Sequence, residues 1–339
     1  MSLRMRWQRF VSVLKARDRE FVRDRSALAW NIIFPLLIIL GFAYAFTGDK
    51  LEQYKVGVIS KSADVQLEFY RTEYIQFIDI PLAQKALAIN KVKRHQLDML
   101  LDATDKRYWL NDSSPAGYML EKILAGSGGT AYQKQSVKGK QVRYVDWLIP
   151  GVLGMNMMFS ALFGVGYVVV RYRKNGVLKR LQATPLSALE FLTAQVVSRL
   201  WLIMAITITV YIGCDLLIGF VMHGSYFNLL LVFTLGAFSM ISMGLIVAAR
   251  VRSEEMAGGL LNLFSWPMMF LSGVWFSLEG LHPWVQKLAL IFPLTHITQA
   301  ARDIMMDGAG LSAIMPNLLA LFAMSIIFLL LGVRLFRWE

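Results

Sequence analysis

Cysteine is nearly missing from this sequence: Cys214 stands alone among 339 residues. One thiol excludes an intrachain disulfide, and its place inside an apolar run reads as a small buried hydrophobe. Histidine is as sparse. His95, His223, His282 and His296 lie far apart, without the helical spacing or the clustered carboxylates of a metal site, so no metal is expected. No stretch follows G-x-x-x-x-G-K-[ST], and Gly126-Ser127-Gly128-Gly129-Thr130 lacks the lysine that would hold a nucleotide phosphate. Neither a Ser-His-Asp order nor a carboxylate pair stands out, which leaves no catalytic residue to nominate. Charge is scarce too, at 17% of residues against 56% hydrophobic, a balance that excludes an ordinary pair of soluble domains. The net charge of +12 sits beside apolar runs, where lipid headgroups explain it and nucleic acid is not expected as a partner.

What is abundant is long apolar sequence. A bilayer core about 30 Å thick is crossed by about 20 apolar residues in a helix, because unpaired backbone groups cannot face lipid. Ala27 to Phe46, Trp147 to Val170, Ser225 to Ala249, Met256 to Leu278 and Gly308 to Val333 meet that length without a charge. Phe191 to Met222 is a further run, although it holds Arg199 and Asp215. The expected fold class is therefore mainly α: a polytopic membrane protein with six transmembrane helices.

Basic residues mark one side of these spans. Arg4, Arg6, Arg9, Lys15, Arg17, Arg19, Arg23 and Arg25 precede the first, and Arg171, Arg173, Lys174, Lys179 and Arg180 follow the second. Arg250 and Arg252 follow the fourth, Arg334 and Arg337 follow the sixth, and the His223–Gly224 loop has no such residue. By the positive-inside rule both termini lie in the cytoplasm of a bacterial inner membrane, and residues 47–146 fall outside by parity. Ala43-Tyr44-Ala45 has the form of a cleavage site. The basic region before it is too long for a signal peptide, so residues 27–46 are read as an uncleaved span.

Residues 1–26 form an amphipathic surface helix, with Trp7, Phe10, Leu14 and Phe21 at helical spacing and cations around the rest. Residues 47–146 read as a small extracytoplasmic α/β domain: a strand-like "YKVGVIS", a helical stretch from Pro81 to Lys93, then "LDMLLDA" and "RYWLND". Gly126-Ser127-Gly128-Gly129 ends the helix-like "GYMLEKILA" and marks a flexible connection back to the membrane. Residues 147–335 hold spans two to six. No internal repeat is visible.

Within "VVVRYRKNGVLKRLQATPLSALEFLTAQ", residues 168–195, a span ends in cations, a short amphipathic segment follows, and Thr184-Pro185 breaks the chain. Ser187 and Glu190 have capping-box spacing, which by itself accounts for Glu190. The order of this stretch resembles the cytoplasmic connection of type-2 ABC export permeases. "WLIPGVLGMNMM" looks like that class's entry into the second span. "FLSGVWFSLEGLHPWVQKLALIFPLTHITQAARDIMMDG" is similar to its outer reentrant region, here residues 278–307, where Trp275, Glu279, Pro283, Trp284 and Pro293 fall in or beside it.

The resemblance implies a half-transporter: two permease chains, identical or related, pair in the membrane above separate ATP-binding cassette subunits. ATP and magnesium then belong to the partner, and this chain carries no cofactor and hydrolyses nothing itself. Coupling to the partner is implied at residues 171–190, through Leu178, Lys179, Arg180, Leu181, Thr184, Pro185 and Glu190. The path is implied between the second and fifth spans, at Asn156, Phe159 and Phe163 and at Asn262, Phe264, Trp266 and Phe270. Residue by residue, ordinary helix packing is the plainer account of those seven. Lipid and an envelope adaptor protein are further partners, and apolar spans suit a drug or lipid as cargo. The rival reading is a secondary transporter with Arg199 and Asp215 as ion-coupling groups. Snorkelling and an outer headgroup position explain the same two charges. A lipid-modifying enzyme is a third reading.

Overall fold

The computed structural model describes residues 3–45, 54–59, 67–93, 97–138, 143–220, 222–251, 253–276, 278 and 282–336. The chain divides into two compact units, Phe46–Tyr144 and Met1–Ala45 with Val145–Glu339.

The first unit is a five-stranded sheet with helices on both faces. β1 (Tyr54–Ile59), β2 (Ile75–Asp79), β3 (Met99–Asp102), β4 (Arg107–Asn111) and β5 (Gln133–Val137) lie in the order β2-β1-β3-β4-β5, antiparallel only between β3 and β4. Side chains alternate across a strand. Met99, Leu101, Tyr108 and Leu110 therefore meet Leu120 and Leu124 of α4 (Pro115–Gly126), while Leu100 and Trp109 meet Ala88 and Val92 of α3 (Lys85–Lys93). The predicted glycine connection is corrected: Gly128 takes φ 85° in a turn that leads into β5, so the stretch lies inside the unit. Only Gly tolerates that φ without cost.

Lys85 bridges Asp102 at 2.7 Å and Asp105 at 2.9 Å. The Lys85 hydrogen bond holds the Asp105 carboxyl below its ordinary value of 3.8, and Ser136 followed by Lys134 does the same for Asp112. Burial, then Glu121, pushes the Tyr108 phenol up to about 12. A lowered carboxylate stabilises the fold above its ordinary value and loses that contribution as pH falls. A raised phenol stabilises below its ordinary value and loses its contribution as pH rises. The unit is thus expected to lose melting temperature below about pH 4 and again above about pH 10, read by circular dichroism of the excised unit. A flat profile at both ends would refute these linkages.

The second unit is helical. α1 (Leu3–Arg23) stops at Asp24, whose carboxylate accepts from the Ala27 N–H at 3.0 Å and caps α2 (Arg25–Ala45). α5 (Tyr144–Ala161) runs through a π-helical turn, Leu162–Tyr167, into α6 (Val168–Lys174). Gly176, at φ 69°, turns the chain into α7 (Val177–Gln182). Then come α8 (Ala188–Ile218), α9 (Tyr226–Arg250), α10 (Glu254–Leu271), α11 (Pro283–Ala289), α12 (Pro293–Asp307) and α13 (Leu311–Leu335).

Among the described residues, five stretches are long and apolar enough to cross a membrane: Arg25–Tyr44, Tyr144–Lys174, Ala188–Ile218, Tyr226–Arg250 and Leu311–Leu335. The sixth predicted span, Met256 to Leu278, differs. α10 ends at Leu271, Gly273 takes φ 70°, and Glu254, Glu255, Asn262 and Pro267 dilute its apolar character. α11 and α12 occupy most of the region predicted to be reentrant, while Glu279 lies outside the described residues. α12 is seated closely. A Cβ on Gly154 of α5 would lie 2.9 Å from Leu294, and one on Gly236 of α9 would lie 2.5 Å from Ile297. Small residues at such contacts let membrane helices approach.

Candidate functional site

α8 starts as its sequence dictates. The Glu190 N–H donates to Ser187 Oγ at 3.2 Å, and the Ser187 N–H donates to Glu190 Oε2 at 2.9 Å, closing the capping box. Glu190 also lies 3.9 Å from Arg9 of α1, whose guanidinium donates to the Pro185 carbonyl. The loop before α8 is therefore tied to α1. Of the predicted coupling residues, Lys179, Arg180, Thr184 and Pro185 are exposed, Leu181 and Glu190 are half-buried, and Leu178 is wholly buried. The buried Leu178 side chain anchors α7, and the exposed residues lie on its open side.

α1 turns inward more than an apolar stripe. Phe10, Leu14 and Phe21 face the other helices while Trp7 is exposed, and Arg17 sits buried on the same inward side. Asp18 accepts from Ser198 Oγ at 2.5 Å and from Trp201 Nε1 at 3.1 Å, pinning α1 to α8. Glu20 accepts from Arg17 at 2.9 Å and from the Tyr172 hydroxyl, and pairs with Arg171 at 3.6 Å.

Arg173 is buried at the end of α9. Its Nη1 donates to the carbonyls of Ala248 at 2.9 Å and Val251 at 2.5 Å, and its Nη2 to Ala249 at 3.2 Å. Beside it the Tyr167 hydroxyl donates to Glu254 at 2.5 Å, with Lys174 3.4 Å from the same carboxylate, joining α10 to the second span.

The predicted path residues fall into two environments. Asn156 is buried and donates to the Asn31 carbonyl of α2 at 3.2 Å, while Ser160 Oγ donates to Asn31 Oδ1 at 2.6 Å. Phe159 and Phe163 are half-buried with ring centroids 6.0 Å apart. On α10, Asn262, Phe264, Trp266 and Phe270 are all exposed, whereas Ala257, Leu261, Ser265 and Met268 are buried. α10 thus turns its predicted path residues away from its own chain. Sequence reasoning missed Asn31, for which a lone amide in an apolar run was the available signal. Arg199 and Asp215 are not brought together: Arg199 is buried, with Nε 2.8 Å from the Ser160 carbonyl, and Asp215 is exposed near the far end of α8.

At the opposite end Arg302 of α12 acts as a latch. Nε donates to the Trp147 carbonyl at 3.2 Å, Nη2 donates to the Gly273 carbonyl at 2.6 Å, and the guanidinium lies 3.6 Å from the Trp147 ring centroid. Thr298 donates to the Ser272 carbonyl at 2.7 Å, and Thr295 to Ala289 at 2.6 Å. The His296 ring nitrogens lie 2.9 Å from the Leu290 carbonyl and 2.9 Å from Asn317 Oδ1. Among the described residues no three His, Cys, Asp or Glu side chains gather as metal ligands.

Comparison with known proteins matches residues 25–334 to the family described as ABC-2 family transporter protein. The chain belongs to the ABC-2 transporter family. Relatives of this ABC-2 chain carry matching names. It is 27% identical over 188 residues to the inner membrane transport permease YhhJ of Escherichia coli strain K12, covering 54% of this chain and 49% of that protein. It therefore spans about half the length of YhhJ. To the "Probable multidrug ABC transporter permease YbhS" of the same organism it is 21% identical over 363 residues, with 95% of each covered. To ABC transporter G family member 20 of Dictyostelium discoideum it is 28% identical over 288 residues, covering 79% of this chain and 36% of that protein. The ABC-2 chain is a multi-pass membrane protein of the permease type, and these relatives do not favour the ion-coupled alternative.

Proposed function

We propose that this chain is the permease subunit of an ATP-driven exporter in a bacterial inner membrane, working as a dimer above separate ATP-binding cassette subunits. The observation that carries the reading is the ABC-2 match across residues 25–334. In this reading the end bearing α1, α7 and both termini is cytoplasmic, and residues 47–146 form an extracytoplasmic unit open to an envelope adaptor. α10, 18 residues and about 27 Å long, serves as the fifth of six spans, with α11 and α12 as the reentrant pair on the outer side.

Each part has a stated job. The partner docks on exposed Lys179, Arg180, Thr184 and Pro185, and Leu181 and Glu190 relay its motion to α8 and α1. The path for a drug-like or lipid substrate runs between the second span and α10, along Phe159, Phe163, Asn262, Phe264, Trp266 and Phe270. The exposed aromatic face of α10 supports a second permease chain, identical or related, covering it. ATP and magnesium reside on the partner.

The test is a pull-down of the tagged chain in mild detergent, with mass spectrometry and an ATPase assay. The expected result is a co-purifying ATP-binding subunit that hydrolyses ATP. A chain that purifies alone, as a stable oligomer indifferent to ATP, would refute the proposal.

A further inference from the structure

A π-helical turn carries one residue more than the α-helix can use, and such turns are rare and recur at functional sites. In the second span it covers Leu162–Tyr167, immediately after Phe159 and Ser160, and it contains Gly164 and Gly166. Two arginines from two other helices hold one carbonyl inside the turn and one just before it. Arg199 of α8 donates to the Ser160 carbonyl through Nε at 2.8 Å and Nη2 at 2.5 Å, with its guanidinium 4.9 Å from the Phe21 ring centroid. Arg17 of α1 donates through Nη2 to the Gly164 carbonyl at 2.9 Å.

Both side chains are buried, at 6% exposure each. A buried cation is costly unless hydrogen-bonded, and backbone carbonyls ordinarily serve their own helix. Here those carbonyls hold the two cations. Arg17 has Glu20 as counter-ion, while among the described residues Arg199 has no carboxylate within ion-pair distance. Gly164 makes room: a Cβ there would overlap the Arg199 guanidinium.

The arginines ride on α1 and α8, which Arg9 and Glu190 tie to the loop at Pro185. Moving the extra residue along the helix turns the residues it passes by about 100° relative to the parts on either side. We propose that Arg17 and Arg199 are positioning residues that hold the π turn of the second span, so that motion of α1 and α8 re-phases Phe159 and Phe163 through it. The inference rests on the exporter reading and adds the element that carries the stroke into the membrane. Such an element must have two arrangements that the partner's nucleotide state weighs differently.

The test is hydrogen exchange of peptides covering residues 156–170, in the complex with its ATP-binding partner in lipid nanodiscs. Exchange is compared without nucleotide and with ATP plus vanadate. The wild-type turn is expected to differ about fivefold or more between the two states. In Arg17→Gln and Gly164→Ala that difference shrinks to under about twofold, while ATP hydrolysis and the nucleotide response of residues 178–185 persist. Arg17→Lys recovers part of it, because one ammonium can bond one carbonyl. Arg17→Gln removes a donor from the turn without adding atoms against it, so it tests the idea even where Gly164→Ala misfolds. A hydrolysing wild-type complex whose turn exchanges alike in both states overturns the inference alone, as does a full response in Arg17→Gln. A chain that holds no hydrolysing partner overturns the exporter reading and the inference together.

Discussion

Replacing Arg173 with methionine is expected to lower the melting midpoint of the detergent-solubilised chain sharply, at a cost of about 3 kcal/mol or more. The last carbonyls of a helix have no partner within it, and at an end buried in the protein, as here, water does not supply one. Arg173 supplies donors to three of them, on Ala248, Ala249 and Val251. Methionine fills similar space and donates nothing. Arg173→Lys is expected to recover part of the loss, since an ammonium lacks the planar fork. The exposed neighbour Arg171, exchanged for methionine, is expected to change stability by no more than about 0.5 kcal/mol. Scanning fluorimetry of the four proteins decides the matter, and equal midpoints for wild type and Arg173→Met would remove the cap from the account.

On the proposed exporter reading, with ethidium as the probe for a drug-like cargo, Pro185→Ala and Leu181→Ala are expected to reduce ATP-driven efflux about tenfold, the loss of about 1.4 kcal/mol of coupling, while partner binding and ATP hydrolysis fall much less. Pro185 is exposed, yet its carbonyl accepts from Arg9, and a backbone freed from proline's fixed φ holds that position less well. Leu181 is half-buried in the last turn of α7. Leu178→Ala must be read separately: its side chain is wholly buried, so the substitution is expected to cost about 2 to 4 kcal/mol by leaving a cavity. A complex that hydrolyses ATP and effluxes dye at wild-type rates in both Pro185→Ala and Leu181→Ala would take this loop out of the mechanism.

Much of the architecture could be read from pattern, and the exceptions have physical causes. The strands at "YKVGVIS", "LDMLLDA" and "RYWLND" alternate or run apolar as buried strands must, whereas β5, "QKQSV", is a polar edge strand with only Val137 buried. Long spans announce themselves by length. The run from Met256 to Leu278 does so too, yet its helix, α10, begins at two glutamates and stops seven residues before the run does. The capping box at Ser187 was legible because it is local. Arg17 was not, since an arginine on a periodic helix reads as part of the wet face, and its buried partner, the carbonyl of Gly164, lies far away in sequence. The π turn leaves no periodic trace beyond its two glycines.

The seating of α12 has a consequence for any study of motion. Leu294 and Ile297 plug glycine notches on α5 and α9, Arg302 and Thr298 bind backbone carbonyls, and His296 reaches α13 through Asn317. A helix keyed in this way behaves as a stator, since sliding it by a fraction of a turn would drive side chains into backbone. On the mechanism proposed above, the working parts are α1, α7, α8, the π turn of the second span and the exposed face of α10. A spectroscopic label on α12 becomes a stationary ruler mark, against which displacement elsewhere in the chain can be gauged.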